Sequence, residues 1–454
     1  MKRAGRPSAA ARGPRDIALD VLLAVELDDA YANLELSRQL GLQRPDRRDA
    51  ALATELVFGS LRLRGRYDAV LDACSSRALD DVDPVTLNAL RLGVHQLLTL
   101  ATADYAAVSA TVDQVTRRRG AGAGKFTNAV LRAVAADPWP VWRDRLVAGL
   151  DPVPRWTVEW SHPAWIIRAF TDALTQQGAE TEIERLLERN DEPAPVTLAA
   201  RPGRITQAAL LAATDGAPGD WSPWSVRITG DPGRFPDIRS GAAGVQDEGS
   251  QLMALAVSRL DTPSGRWLDL CAGPGGKTAD LAGLAAAQGA NLTAVEQHPH
   301  RAELVRQATR GGAPVDVMAG DALSLPLPSA SRILLDAPCT GLGAVRRRPE
   351  LRWRRRPGDL PALRSAQTRL VDRALELLDP GGCLAYVTCS PHVAETSAII
   401  EAALVRHSDV GLVPAPPLLP EVPDTATGPD GRFLQLWPHR HDTDGMFLAV
   451  LQRR

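Results

Sequence analysis

After Gly241 the sequence alternates short apolar runs with longer helical segments, and that alternation leaves few folds open. Runs of strand type lie at 267–270, 292–296, 315–318, 333–336 and 384–388, and helical pattern fills most of the intervals, as over 360–378. Such a series predicts a doubly wound, mostly parallel α/β sheet. In sheets of this kind ligands and chemistry collect at the carboxyl ends of the strands. Two cysteines fall there: Cys339, in Asp336-Ala337-Pro338-Cys339-Thr340, and Cys389, in Thr388-Cys389-Ser390.

At 454 residues the chain is too long for one ordinary core, and two or three domains are expected. Residues 1–15 are basic and rich in Ala, Gly and Pro, a pattern expected of a disordered arm rather than a signal peptide. Over 16–145 the period is helical: Leu87, Leu90, Val94 and Leu97 form one stripe, and Phe126, Val130 and Val134 form another after a glycine-rich breaker at 120–124. This reads as an all-α bundle. Residues 146–240 carry a weaker signal, with one helix over 183–189 and a strand opening near Pro193, and read as a small α+β linker domain. Residues 241–454 form the α/β domain.

A net charge of −2 excludes a global polycation, so any nucleic-acid contact must be local. The five cysteines lack paired metal spacing, no metal site is expected, and reduced thiols in a cytoplasmic protein are the natural reading. No stretch has the length of a membrane span.

The run Cys271-Ala272-Gly273-Pro274-Gly275-Gly276-Lys277-Thr278 joins the first strand to the next helix. Its glycines let backbone N–H groups point into one concavity. Glu296 ends the second strand, where an acid can accept both ribose hydroxyls of a nucleoside, and Asp321 follows the third, placed to receive an exocyclic amine. A phosphate-binding loop would need Gly where Cys271 stands, and a dinucleotide fingerprint fails at Thr278. A tight turn without ligand and strand-end acids that merely cap helices are the plain alternatives. Loop and acids together favour a nucleoside cofactor without phosphates, S-adenosyl-methionine.

A thiolate is the natural nucleophile for carbon 6 of a pyrimidine, which makes carbon 5 able to take a methyl group. Asp336 is placed to hydrogen-bond the pyrimidine edge. Buried strand cysteines are otherwise usually small core hydrophobes, the reading that suits Cys383. Between the two cysteines lie Arg346, Arg347, Arg348, Arg352, Trp353, Arg354, Arg355 and Arg356. This run predicts a surface for RNA phosphate with a base-stacking Trp353, the alternative being a solvated charged face.

Together these residues resemble the RsmB/Sun family of RNA cytosine-5 methyltransferases over nearly the whole chain. Residues 48–62 and 125–132 are similar to a NusB-type RNA-binding domain, 160–165 to the family's entry to its linker domain, 245–251 to the opening of its catalytic domain, and Asp444-Gly445-Met446-Phe447 to its closing strand. The resemblance implies a NusB-like bundle, a linker domain and a Rossmann-like methyltransferase domain. It implies that Cys271 to Lys277, Glu296, Asp321 and Asp336 contact cofactor or substrate, that Cys389 is the nucleophile, and that Cys339 helps release the product. The expected substrate is cytosine in 16S rRNA, with tRNA or a vestigial RNA-binding role as alternatives, in a monomer. Residues 197–200 lack the Arg and Asn expected after Leu198.

Overall fold

The computed structural model describes residues 13–100 and 102–454; the basic arm at 1–15 lies mostly outside the described residues. The chain forms two compact units, one of residues up to 167 together with 348–354, the other of residues 168–347 and 355–454.

The first unit is helical. Asp46 caps the helix Arg47–Arg62 by accepting from Asp49 N at 2.8 Å, and Asp83 caps Pro84–Leu98 by accepting from Thr86 N at 3.2 Å. Free N–H groups of a helix's first turn need such acceptors. Pro84–Leu98 is not the one-sided amphipathic helix its stripe suggested. Residues 86–96 are buried all round, including Arg91, which is paired with Asp68 at 2.7 Å. A charge is tolerated in that position because its carboxylate partner comes with it. The glycine-rich breaker also shrinks to one residue: Gly120 has φ +89, and the helix Ala121–Val134 starts directly after it. Gly124 lies inside this helix, where an ideal Cβ would fall 2.0 Å from Thr116 Oγ1, so its role is close helix contact. The last helices of this series, Trp139–Val147 and Pro152–Glu159, lie at and beyond position 139.

The second unit holds two sheets. The smaller consists of β1 (Val196–Ala200), β2 (Ala217–Pro218), β3 (Ser225–Ile228) and β4 (Ala243–Val245), antiparallel in the order β2-β3-β1-β4. The helix Ile183–Asp191 precedes it. The larger sheet contains β5 (Trp267–Asp269), β6 (Leu292–Glu296), β7 (Val315–Ala319), β8 (Ala330–Asp336), β9 (Leu378–Thr388), β10 (Val410–Val413), β11 (Ala426–Thr427), β12 (Phe433–Gln435) and β13 (Phe447–Arg453). Its order is β11-β12-β13-β9-β8-β5-β6-β7, with β10 on β13. The five strands read from the sequence are β5 to β9, and they pair in parallel. β13 returns antiparallel to β9, pairing Phe447 with Thr388, and brings β10, β11 and β12 with it.

Both faces of the sheet are covered. Along β9, Leu384 and Tyr386 enter one apolar cluster, while Cys383, Ala385 and Val387 enter the other. That is the period of two expected of a strand buried on both sides. Phe433, Tyr386 and Phe447 meet edge to face on one side, with Phe433 and Phe447 ring centroids 5.4 Å apart. Rigid packing on both faces fixes the strand ends, and the site stands on those ends.

Candidate active site

β5 lies between β6 and β8, so the chain order reverses at its carboxyl end, where a crevice opens in such sheets. The loop after β5 begins tied to both neighbours: Leu270 N donates to Leu334 O at 3.0 Å and Ala272 N to Val295 O at 2.9 Å. It turns through a cis Gly273–Pro274 bond and through Gly275, whose φ of +107 suits glycine, into the helix Gly276–Ala287. An ideal Cβ on Gly273 would lie 2.1 Å from Glu296 Oε2, so a side chain there would have to displace the Glu296 carboxylate.

Glu296 is buried at the end of β6. Its Oε2 accepts from Gly273 N at 3.1 Å and its Oε1 from His298 N at 2.9 Å, while Arg301 donates to Gly273 O at 2.7 Å. Each carboxylate oxygen retains a second acceptor position. Asp321 is exposed two residues beyond the partner of Glu296 in β7, with Oδ1 accepting from Leu323 N at 3.0 Å. The two acids therefore share one edge of the sheet with the glycine cradle. This donor and acceptor set fits a nucleoside whose ribose meets Glu296 and whose chain meets the loop.

Lys277 and Asp336 face each other across the loop at 2.7 Å. Burial works against the lysine's charge, but the Asp336 carboxylate outweighs it and holds the ammonium above its ordinary range, with Cys389 contributing in the same direction. Beneath them Asp269 accepts from Thr278 Oγ1 at 2.7 Å, and burial pushes its carboxyl up to about 7. Burial pushes the Cys271 thiol far up, helped by the Asp269, Asp336 and Glu296 carboxylates, which makes it a poor nucleophile.

β8 and β9 are parallel neighbours in register, Asp336 opposite Val387, and their ladder continues to Ala337, which donates to Val387 O. Cys339 and Cys389 thus leave adjacent strand ends, and their Sγ atoms stand 3.5 Å apart. Both are half-buried. The Cys339 thiol is held well above its ordinary range, first by its hydrogen bond with Cys389 and then by burial. Cys383 faces the core, and burial pushes it up to about 11. Cys74 lies against the apolar core of the helical unit. No group able to hold a metal ion occurs among the described residues.

The arginine run is not one cationic surface. Arg346 is buried, donates to Asp442 and to the carbonyls of Glu192 and Pro193, and Arg347 is paired with Asp247 and Asp444. Arg352 is fully buried and donates to the carbonyls of Arg62 and Ser161. The expected stacking residue Trp353 donates its indole N–H to Leu61 O at 2.7 Å and lies against Gly65. Arg354 donates to Ala30 O, and Arg355 to the carbonyls of Thr340 and Cys339. A guanidinium has five donors, and buried ones must be answered from within the protein. The phosphate-binding expectation therefore does not hold for Arg346, Arg347 and Arg352, nor the stacking role for Trp353. Arg348 and Arg356 are the exposed members of the run.

Sequence reasoning missed three groups. Glu395 is wholly buried beneath both cysteine loops. Arg201, just past the segment that lacks the expected Arg and Asn, is buried against Asp280 and donates to Gly276 O at 2.9 Å. Arg301 supports the Gly273 turn. None has a local sequence signature, because each acts across distant segments.

A doubly wound sheet with a glycine cradle after its first strand and acids at or just past the ends of the next two fits a methyltransferase dependent on S-adenosyl-methionine. The family description "16S rRNA methyltransferase RsmB/F" matches residues 254–452, and that of the NusB family matches residues 12–136. A methyltransferase of Mycobacterium tuberculosis is 47% identical over 97% of this chain and 98% of its own. The ribosomal RNA small subunit methyltransferase B of Bacillus subtilis is 31% identical over 97% and 98%. Among solved structures, PH0851 superposes over 100% of both chains with a TM-score of 0.81 at 21% identity. A methyltransferase homologue from Pyrococcus horikoshii covers 67% of this chain and 100% of its own, with a TM-score of 0.55 at 24% identity. The chain belongs to the RsmB/F family of RNA methyltransferases and carries a NusB domain at its amino-terminal side. No helix among the described residues is long and apolar enough to cross a membrane.

Proposed function

We propose that this enzyme methylates carbon 5 of a cytosine in 16S rRNA through a covalent adduct between Cys389 and carbon 6 of the base. The observation that carries the reading is the pair of thiols 3.5 Å apart at the ends of β8 and β9, beside the Lys277–Asp336 pair. The name of the Bacillus subtilis relative, a small-subunit rRNA methyltransferase, supports the choice of RNA.

Each chain residue has a distinct task in this reading. The Lys277 ammonium, charged because Asp336 faces it, favours Cys389 as thiolate. Cys389 Sγ adds to carbon 6, and the electron pair of the carbon 5–carbon 6 double bond moves toward carbon 5. Asp336 holds the polar edge of the pyrimidine. S-adenosyl-methionine, which the 271–277 loop, Glu296 and Asp321 would hold, would supply the methyl group that carbon 5 takes, its sulfonium leaving as the neutral thioether. Cys339 then takes the proton from carbon 5. The electrons left behind re-form the double bond and expel Cys389 Sγ as thiolate. Cys339 is restrained from ionising first of all by its contact with Cys389. Once that sulfur is bound to the base this first restraint is gone while burial remains, so the adduct eases formation of the Cys339 thiolate that takes the proton.

Bisulfite mapping of 16S rRNA and tRNA from cells with and without the protein tests the substrate. The proposal expects one 16S cytosine to lose its protection when the protein is absent. A lost signal in tRNA alone would replace the substrate, and no lost signal in either would reject the reaction.

A further inference from the structure

A carboxylate outside the chemistry described above touches both cysteine loops. Glu395 has no exposed surface. Its Oε1 accepts from Thr340 N at 2.8 Å and from Gln367 Nε2 at 3.2 Å; its Oε2 accepts from Thr340 Oγ1 at 2.5 Å and from Ser390 Oγ at 2.8 Å. Thr340 directly follows Cys339 and Ser390 directly follows Cys389, so one side chain grips the residue after each thiol. The two hydroxyls also meet each other at 3.0 Å. Gln367 spans from Glu395 to Pro338 O at 2.9 Å, on the other side of Cys339. Glu395 is itself anchored to the strand that carries Cys389, because Tyr386 OH donates to Glu395 O at 2.7 Å.

A fully buried carboxylate is expensive unless its lone pairs are answered, and four donors answer these. Four donors from three segments also fix those segments relative to one another. Gln367 Oε1 is buried without a partner, but the carboxylate itself is fully answered, and it is the carboxylate that ties the two loops together. A pair of helix dipoles or strand ends alone would leave each loop free to shift by itself.

We propose that Glu395 is a positioning residue that sets the spacing of the Cys339 and Cys389 thiols. Its carboxylate keeps the release residue within reach of carbon 5 while the nucleophile holds carbon 6. This rests on the proposed division of labour between the two cysteines, but the spacing can be measured without it.

The test uses the full-length enzyme and three readouts: S-adenosyl-methionine affinity by calorimetry, methyl transfer to 16S rRNA, and affinity for phenylarsine oxide. The arsenic centre bonds to the sulfurs of two thiols at once, their two protons leaving with its oxygen as water, and so reports whether the thiols stand together. Glu395→Gln keeps the side chain's size but turns an N–H₂ group toward donors. It is expected to retain cofactor affinity and KM for RNA while kcat falls about a hundredfold, the order that a misplacement of about 1 Å costs. Its affinity for phenylarsine oxide is expected to fall about tenfold through the lost proximity of the two thiols. Ser390→Ala, which releases only the Cys389 loop, is expected to show the same pattern more weakly. If Glu395→Gln also loses cofactor binding, Ser390→Ala decides. Unchanged kcat and unchanged arsenical affinity in a folded variant overturn the proposal. If the wild-type enzyme transfers no methyl group to RNA yet the arsenical result holds, the proposed function fails and the positioning role stands.

Discussion

Replacing Arg201 by methionine strips a fully buried carboxylate of its cation. Arg201 Nη1 donates to Asp280 Oδ1 at 2.5 Å and to Gly276 O at 2.9 Å, and it also reaches Gln246 Oε1; the side chains of Arg201 and Asp280 are 6% and 0% exposed. Breaking a buried pair by removing one partner costs about 3–5 kcal/mol, because the charge left behind has neither water nor counter-ion. Gln246 Nε2 would remain on Asp280 Oδ2 at 2.7 Å. Burial already pushes the Asp280 carboxyl up, against the pull of Arg201. Without Arg201 it rises further, and the variant escapes part of the cost by protonating Asp280. The sign follows: a raised folded pKa contributes stability at low pH that is lost as pH rises. The variant's deficit is therefore larger at pH 8 than at pH 5.5, by at most about 1.4 kcal/mol per pH unit. Urea denaturation at the two pH values measures this. Calorimetry measures a second effect: Gly276 O loses a charged donor at the foot of the cofactor loop, and affinity for S-adenosyl-methionine falls about tenfold. Arg201→Met combined with Asp280→Leu should regain most of the stability, because two apolar side chains need no counter-charge. A deficit under about 1 kcal/mol for Arg201→Met, or a double variant weaker than the single one, would refute the reasoning.

Three further outcomes are expected. Burial raises the Asp269 carboxyl from 3.8 to about 7, so its contribution is complete below pH 3.8 and lost as pH rises through 7. Asp269→Asn should flatten a decline of about 4 kcal/mol between those limits, and parallel denaturation profiles for wild type and variant would contradict it. Arg352→Met should lower thermal stability yet leave the salt dependence of RNA binding unchanged, since Arg352 is buried on protein carbonyls. Arg356→Met, at an exposed position, should reduce the salt slope if RNA passes over that face; a reduced slope in Arg352→Met instead would return Arg352 to the surface.

The catalytic sheet was legible because its signals are local. Each strand is a short apolar run, and the residues of the site sit within a few positions of a strand end, as Glu296, Asp336, Cys339 and Cys389 do. The glycine loop was legible for the same reason. What escaped notice depends on partners far away in sequence. Glu395 answers Thr340 from 55 positions off, and Arg201 answers Asp280 from 79. The arginine run misled because charge in a sequence says nothing about who receives it. Arg346 and Arg352 are buried and Arg347 is partly buried where Asp442, Asp247, Asp444 and backbone carbonyls wait for them. The antiparallel strands β10 to β12 escaped because they are short, and β11 and β12 follow Pro- and Gly-rich turns, so they lack the length that makes a period visible.

The central claim is the division of labour between the two thiols, and trapping of RNA–protein adducts tests it most directly. Purified wild type, Cys389→Ala and Cys339→Ala would be incubated with 16S rRNA and S-adenosyl-methionine, then resolved on a denaturing gel. Cys389→Ala is expected to give neither adduct nor methyl transfer, and Cys339→Ala to accumulate adduct that turns over little. Methyl transfer by Cys389→Ala, or adduct accumulating on Cys339 when Cys389 is absent, would contradict the account.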